Sequence, residues 1–330
     1  MTRSIVLHPG LPKCATSTLQ RLFVMEDHAL ARALGVAVLG KGFVPMNGPP
    51  PVTELMYAPE DCLRALRAQD YPPGQYFLSS EALASQPDFI AEIAQLFTVS
   101  RMVVTVRFPP AQALSNFRYS GWLTQDLHGA LADRATGPLH ALQRHARKLA
   151  QLSALAETLA CPVEGAGLAE RFCLTCFAQT PARLGDAPFA TLRPANESIG
   201  LGFATALREA LVAQGLTVTG ADRARLVKLA QRRRLPPDVA GLMPEGFAPA
   251  DLAPALDALE GYGALLRDHG VAAADTATAV AAAEAQFRAL LARPGATRPQ
   301  MATLRRHAGA VVRAATDPDA DTGPPQRSRV

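Results

Sequence analysis

The sequence predicts an α/β fold: a central parallel β-sheet flanked by helices, followed by a long, mostly helical C-terminal region. Three observations carry this. Short strand-like runs alternate with helical patterns in the first third of the chain. One of those runs, Met102–Val106 (MVVTV), is rich in β-branched residues and apolar on both faces, as a buried parallel strand must be. From Gly200 onward the composition turns alanine- and leucine-rich with helical periodicity. With 330 residues, 48% of them hydrophobic, the chain has the material for a sizeable core.

Taken in order, the first strand is Ser4–Leu7, and it leads through His8-Pro9-Gly10-Leu11-Pro12-Lys13 into a helix over Ser17–Leu34, closed by Gly35. The proline- and glycine-rich stretch Gly40–Asp61 (GKGFVPMNGPPPVTELMYAPED) reads as a long surface loop, the kind that forms a lid or a substrate wall. A second strand, Gln75–Ser79, precedes a helix at Asp88–Leu96; the third, Met102–Val106, precedes a helix at Ala111–Tyr119. A fourth strand is placed at Cys161–Val163, before the helical LAERFCLTCFA. Further helices follow at Leu201–Leu216, Ala221–Arg234, Leu252–Leu266 and Ala274–Leu291. The expected organisation is an α/β nucleotide-binding core over residues 1–200 and a helical region over 201–315 packing on it. The tail, 316–330, has too little apolar content to order itself.

Composition narrows the function classes. A net charge of +4 and a pI near 8.9 suit a small polyanionic ligand but fall short of a nucleic-acid footprint. The basic run Arg232–Arg234 reads as a solvated helix end. Five cysteines, odd in number and irregularly spaced, argue against a disulfide framework. Cys173 and Cys176 form a lone C-x-x-C with no second pair and no nearby histidine, so they read as small buried residues on a helix. The first apolar run is too short for a signal peptide, and none approaches the roughly 20 residues of a membrane helix. The alanine-rich stretch near 271–287 is interrupted by Asp275 and Glu284. A soluble, cytoplasmic protein without a membrane span is expected.

The chemistry is concentrated in GLPKCATST. A turn followed by a helix start presents successive backbone N–H groups, with Lys13 as a point charge and Thr16, Ser17 and Thr18 as hydroxyl donors. That is an anion cradle, favoured further by the helix dipole. It is not a Walker A loop, because Pro12 precedes Lys13 and Cys14 follows it. A magnesium-dependent kinase is therefore disfavoured.

HPGLPKCATSTLQ resembles the 5′-phosphosulfate loop of sulfotransferases that use 3′-phosphoadenosine-5′-phosphosulfate, above all the bacterial branch with its P-loop-like fold. VVTVRFPPAQALSNFRYS is similar to that family's 3′-phosphate motif: strand, Arg107, proline turn, and Ser115 eight positions on. YFLSSEAL resembles a segment of bacterial members that often carries S-S-E, and RPANESIG, with Asn196 and Ser198, looks like a late family signature. The resemblance covers mainly residues 3–120 and 193–199. It implies transfer of a sulfuryl group from that donor to a hydroxyl on a small molecule or glycan, with no metal required and no nucleic-acid partner. Lys13 would neutralise charge on the leaving phosphate oxygen. The cofactor-binding set would be Lys13, Cys14, Ala15, Thr16, Ser17, Thr18, Arg107 and Ser115. Two readings stand for Glu81: the base that takes the acceptor's proton, or a helix-capping residue after Ser79-Ser80. His8 is the second candidate for the base.

Two departures bear on activity. The family loop has glycine where this chain has Ala15, and a Thr or Ser where it has Cys14. Glycine at the first position permits positive φ or close backbone approach, and a hydroxyl at the second would be a further donor. The alternative function is thus a catalytically degenerate relative serving as a nucleotide-binding or protein-interaction module.

Overall fold

The computed structural model describes residues 2–50, 52–132, 137–178, 199–248, 250 and 252–316. Five strands, β1 (Arg3–Pro9), β2 (Val36–Val38), β3 (Gly74–Ser80), β4 (Thr98–Val106) and β5 (Thr158–Pro162), form one all-parallel sheet in the order β2-β3-β1-β4-β5. The C-terminal halves of β1, β3 and β4 are fully buried, which is why their sequences read as continuous apolar runs. Register brings His8 opposite Ser79 and Pro9 opposite Ser80.

Parallel neighbours need crossovers, and helices supply them. In the first half of the chain these are α1 (Thr16–Leu34), α2 (Val52–Tyr57), α3 (Pro59–Arg67), α4 (Pro87–Leu96), α5 (Pro109–Tyr119), α6 (Leu127–Ala132), α7 (Pro138–Ser153) and α8 (Leu168–Phe177). α1 ends at Gly35, whose left-handed φ of 67° completes a cap on Ala31 and Arg32. It is interrupted at Met25–His28, where the buried His28 ring bonds the Phe23 carbonyl at 3.1 Å. Beyond residue 200 lie α9 (Leu201–Ala213), α10 (Gly220–Arg232), α11 (Pro237–Ala240), α12 (Ala258–Asp268), α13 (Ala273–Leu291) and α14 (Arg298–Thr316).

Contacts divide the chain into two compact units that interleave in sequence. The first comprises Met1–Gln112, His140–Asn196 and Leu256–Phe287 and holds the whole sheet. Its core gathers Phe23, Phe77 and Phe172 with Cys161, Cys173 and Cys176. Both cysteines of the C-x-x-C sit on α8 as buried residues, and burial pushes the Cys161 and Cys173 thiols up to about 12. Tyr262 on α12 and Phe287 on α13 pack on Phe108, placing these two late helices with the sheet. The second unit comprises Ala113–Leu139, Glu197–Ala255 and Arg288–Val330; in it α14 packs on both α9 and α10.

Besides α6 and α7, which the sequence reading did not place, the structure departs from it in four places. Gly40–Asp61 is not an open loop: Phe43 and Leu55 are buried, α2 lies inside it, and Pro59 starts α3. A proline at the first helical turn is comfortable, so Pro59 marks a helix start rather than the absence of one. The three-residue β2 is too short to show periodicity. The helix predicted over Leu252–Leu266 is a 3₁₀ turn at Ala253–Asp257 followed by α12. α14 lies beyond the last helix predicted. Residues 317–330 of the tail lie outside the described residues, and among the described residues no helix is long and apolar enough to cross a membrane.

Candidate anion-binding site

The topology places the site. After β1 the chain crosses towards β2 on one side of the sheet; after β4 it crosses towards β5 on the other. The two connections diverge from adjacent strands, which opens a crevice outside their carboxyl ends. Residues Gly10–Ala15, the turn after β3 and the turn after β4 all lie at that edge.

Three bonds hold the first of these segments, and a fourth ties the start of α1 to β3. The Gly10 amide donates to the Ser80 carbonyl at 3.3 Å, and the Cys14 amide closes a tight turn on Leu11 at 3.2 Å. Gln112 donates to the Pro12 carbonyl at 2.7 Å, and Gln20 to the Ser79 carbonyl at 2.9 Å. Glycine is required at position 10 for space: a Cβ there would sit 2.2 Å from Thr16 Oγ1 and 2.9 Å from Thr16 Cβ. Lys13 and Ala15 both adopt left-handed backbone, at φ 64° and 65°. The first intrahelical bond of α1 runs from Leu19 to the Ala15 carbonyl, so the N–H groups of Thr16 and Ser17 find no carbonyl within the helix. Thr16 Oγ1 is buried with no hydrogen-bond partner among the described residues. A buried hydroxyl beside helix-start amides that no helix carbonyl accepts is the donor set an anion completes.

Three ionisable side chains, each half-buried, converge on this cradle from three adjacent strands: Lys13 after β1, Glu81 after β3 and Arg107 after β4. Burial pulls the Lys13 ammonium down to about 8, with the Glu81 carboxylate opposing and the Arg107 charge adding to the fall. Burial raises the Glu81 carboxyl, and Lys13 partly offsets it. Ser80 Oγ accepts the Ala82 amide at 3.2 Å, so the capping bond of the 3₁₀ turn Glu81–Ser85 is made by Ser80. The Glu81 carboxylate lies within the field of Lys13.

The remaining sequence candidates differ in their surroundings. Ser17 and Thr18 are half-buried in the first turn of α1. Cys14 is fully buried, its thiol on the Pro12 carbonyl at 3.6 Å and facing the Arg107 amide, so the sulfur ties the loop to the end of β4. Burial drives that thiol up to about 12. Ser115 is half-buried on α5, within the second unit. Asn196 and Ser198 lie outside the described residues. His8 is a core residue: its two ring nitrogens bond Ser79 Oγ at 2.8 Å and Thr105 Oγ1 at 3.1 Å, and burial lowers its pKa to about 3. A ring so weakly basic bridges three strands rather than taking protons.

The structure adds a brace that sequence reasoning missed. Glu164, just beyond β5, is buried and accepts the Phe108 amide and the Tyr262 hydroxyl, each at 2.7 Å. Burial raises its carboxyl, while those bonds and the Arg107 charge oppose the rise. The brace therefore pins the residue that follows Arg107. No local signal marks it, since Glu164 stands 56 positions from Phe108 and 98 from Tyr262.

Two substitutions test this geometry. Tyr262→Phe removes the donor to Glu164 and is expected to lower unfolding stability by about 1–3 kcal/mol, read from urea unfolding. Ala15→Gly relieves a left-handed alanine and is expected to raise stability by about 1 kcal/mol by the same measurement. An unchanged midpoint in the second case would mean that position 15 is not held left-handed in solution. Compared with known proteins, the chain matches no family model, no curated protein and no solved structure.

Proposed function

We propose that this chain is a sulfotransferase that moves a sulfuryl group from 3′-phosphoadenosine-5′-phosphosulfate to a hydroxyl acceptor. The observation that carries the reading is the convergence of Lys13, Glu81 and Arg107 on a helix-start cradle, from the carboxyl ends of β1, β3 and β4. The buried Thr16 hydroxyl and the helix-start amides of Thr16 and Ser17 fit the phosphosulfate end of such a donor. When bound, the nucleotide supplies the activated sulfuryl group. The protein supplies position and charge, which in a loose in-line displacement is most of what catalysis needs. Lys13 is cationic at neutral pH and sits where negative charge grows on the leaving phosphate oxygen. Glu81, raised by burial, is a better base than an exposed carboxylate and is matched to a hydroxyl proton. Arg107 would hold an anionic end of the nucleotide.

Calorimetric titration with adenosine 3′,5′-bisphosphate, without metal and alongside ATP with Mg²⁺, tests the reading. Metal-independent binding that is lost in Arg107→Ala supports it; binding of ATP alone, dependent on Mg²⁺, replaces it with a kinase. The pH dependence has a defined sign. The unliganded Lys13 loses its proton near 8, well below its ordinary value, so bisphosphate affinity is expected to fall as pH rises through 8. The drop is roughly tenfold between about pH 7 and pH 9, and it is absent in Lys13→Ala.

A second reading, a degenerate relative that binds nucleotide or a protein partner without turnover, is favoured by two observations. The Cys14 thiol is spent inside the loop, and Ala15 places a methyl group at a left-handed position. Bisphosphate binding with no transfer to any hydroxyl acceptor would select it.

A further inference from the structure

The second unit carries a concentration of positive charge that the transfer reading does not use. Between Asp222 and Arg234 six basic residues stand against one acidic, and α14 has four basic residues and no acidic one. These two segments hold a net +9 in a chain whose total is +4, so everything else is net −5. The structure brings the segments together. Arg225, near the start of α10, donates to the Ala314 carbonyl near the end of α14 at 3.1 Å, and Arg233, just past α10, donates to His307 Nδ1 at 3.0 Å. The helices therefore lie side by side and antiparallel. Each buries its apolar stripe: Leu226 and Ala230 on α10, Leu304 and Ala308 on α14. Helical spacing then turns Lys228 and Arg232 away from the core on one helix, and Arg306 and Arg313 on the other, all exposed. Glu209 and Glu245 are taken up by Arg305 and Arg298, and among the described residues no carboxylate pairs with those four. At His307, burial and then the charges of Arg233 and Arg306 lower the ring's pKa. Like charges held side by side destabilise a fold, and a polyanion relieves that repulsion.

We propose that the paired faces of α10 and α14 bind an acidic polysaccharide, a flexible chain bearing carboxylate or sulfate groups. Nine of the ten basic residues are arginines, whose forked donors match carboxylate and sulfate oxygens in pairs. Neither segment contains Phe, Tyr or Trp, so there is no platform for stacking bases. Neither helix carries an exposed large apolar residue to enter a bilayer. A chain whose total charge is only +4 falls short of a nucleic-acid footprint, and the duplex arm below tests that exclusion. The inference does not depend on transfer at Lys13.

The test uses the full chain and a heparin oligosaccharide as probe, with uncharged dextran, a short DNA duplex and phosphatidylglycerol vesicles as comparison arms. Heparin is expected to bind with an affinity that falls as salt rises, and dextran not to bind. Combining Arg232→Glu, Arg306→Glu and Arg313→Glu is expected to cost at least about tenfold in heparin affinity. An equal charge change elsewhere, Arg21→Glu with Arg64→Glu and Arg67→Glu, is expected to leave it within about twofold. Far-ultraviolet circular dichroism establishes that both triples fold, and Arg306→Gln with Arg313→Gln serves if the first does not. Absence of heparin binding, equal loss in both triples, or tighter binding to duplex or vesicles would overturn the proposal.

Discussion

Lys13→Ala is expected to lower the rate of sulfuryl transfer by about 10²–10³-fold, the effect of removing one preorganised donor from a developing negative charge. The substitution is unusually clean. Lys13 already holds a left-handed φ of 64°, and alanine meets the same backbone demand, so the change removes charge and reach without altering conformational preference. Lys13 is also partly desolvated, with its ammonium at about 8, so its loss relieves burial of a charge and should not destabilise the fold. Steady-state kinetics should show kcat falling with KM less affected, because the charge Lys13 offsets grows during transfer. Arg107→Ala should do the reverse and act chiefly on nucleotide affinity. A Lys13→Ala protein that turns over normally would remove Lys13 from the chemistry.

Gly10→Ala is expected to dismantle the cradle. Its new methyl would lie 2.2 Å from Thr16 Oγ1, 2.6 Å from Thr16 Cγ2 and 2.9 Å from Thr16 Cβ. Rotating the threonine relieves the first two contacts but not the third, since Cβ does not move with χ1. The loop must therefore lift off the start of α1, and the bond from Gly10 to Ser80 that ties it to β3 goes with it. A cost of about 1–3 kcal/mol in unfolding stability is expected, together with loss of bisphosphate binding. Calorimetry and urea unfolding on the same protein separate the two effects. Retained binding at reduced stability would show that the anion is held elsewhere.

The orphan hydroxyl of Thr16 connects these expectations. It is buried by the same approach that excludes a side chain at position 10, and nothing among the described residues bonds to it. A buried donor left unsatisfied costs stability unless a ligand completes it. Anion binding should therefore stabilise the chain against unfolding in proportion to occupancy.

The sequence by itself determined what depends on local pattern. Apolar runs bounded by Gly and Pro marked β1, β3 and β4, because strands buried on both faces have no polar side to blur them. The small hydroxyl residues after Pro12-Lys13 marked the start of α1, and Gly35 marked its end, because caps are made by neighbours in the chain. The left-handed turn at position 15 was legible only as a place where glycine would be at ease.

Tertiary structure alone decided what depends on partners far apart. Strand order put Lys13, Glu81 and Arg107 on three adjacent strand ends. The same order buried His8 between Ser79 and Thr105, turning a candidate base into a core residue. Glu164 and Tyr262 became a brace only when β5 and α12 met at the end of β4. The run Arg232–Arg234 reads as an ordinary helix end until α14 lies beside it with Arg306 and Arg313. In each case the deciding quantity is burial or the field of a distant charge. Both follow from how elements pack, and neither has a period or a spacing that a single sequence can display.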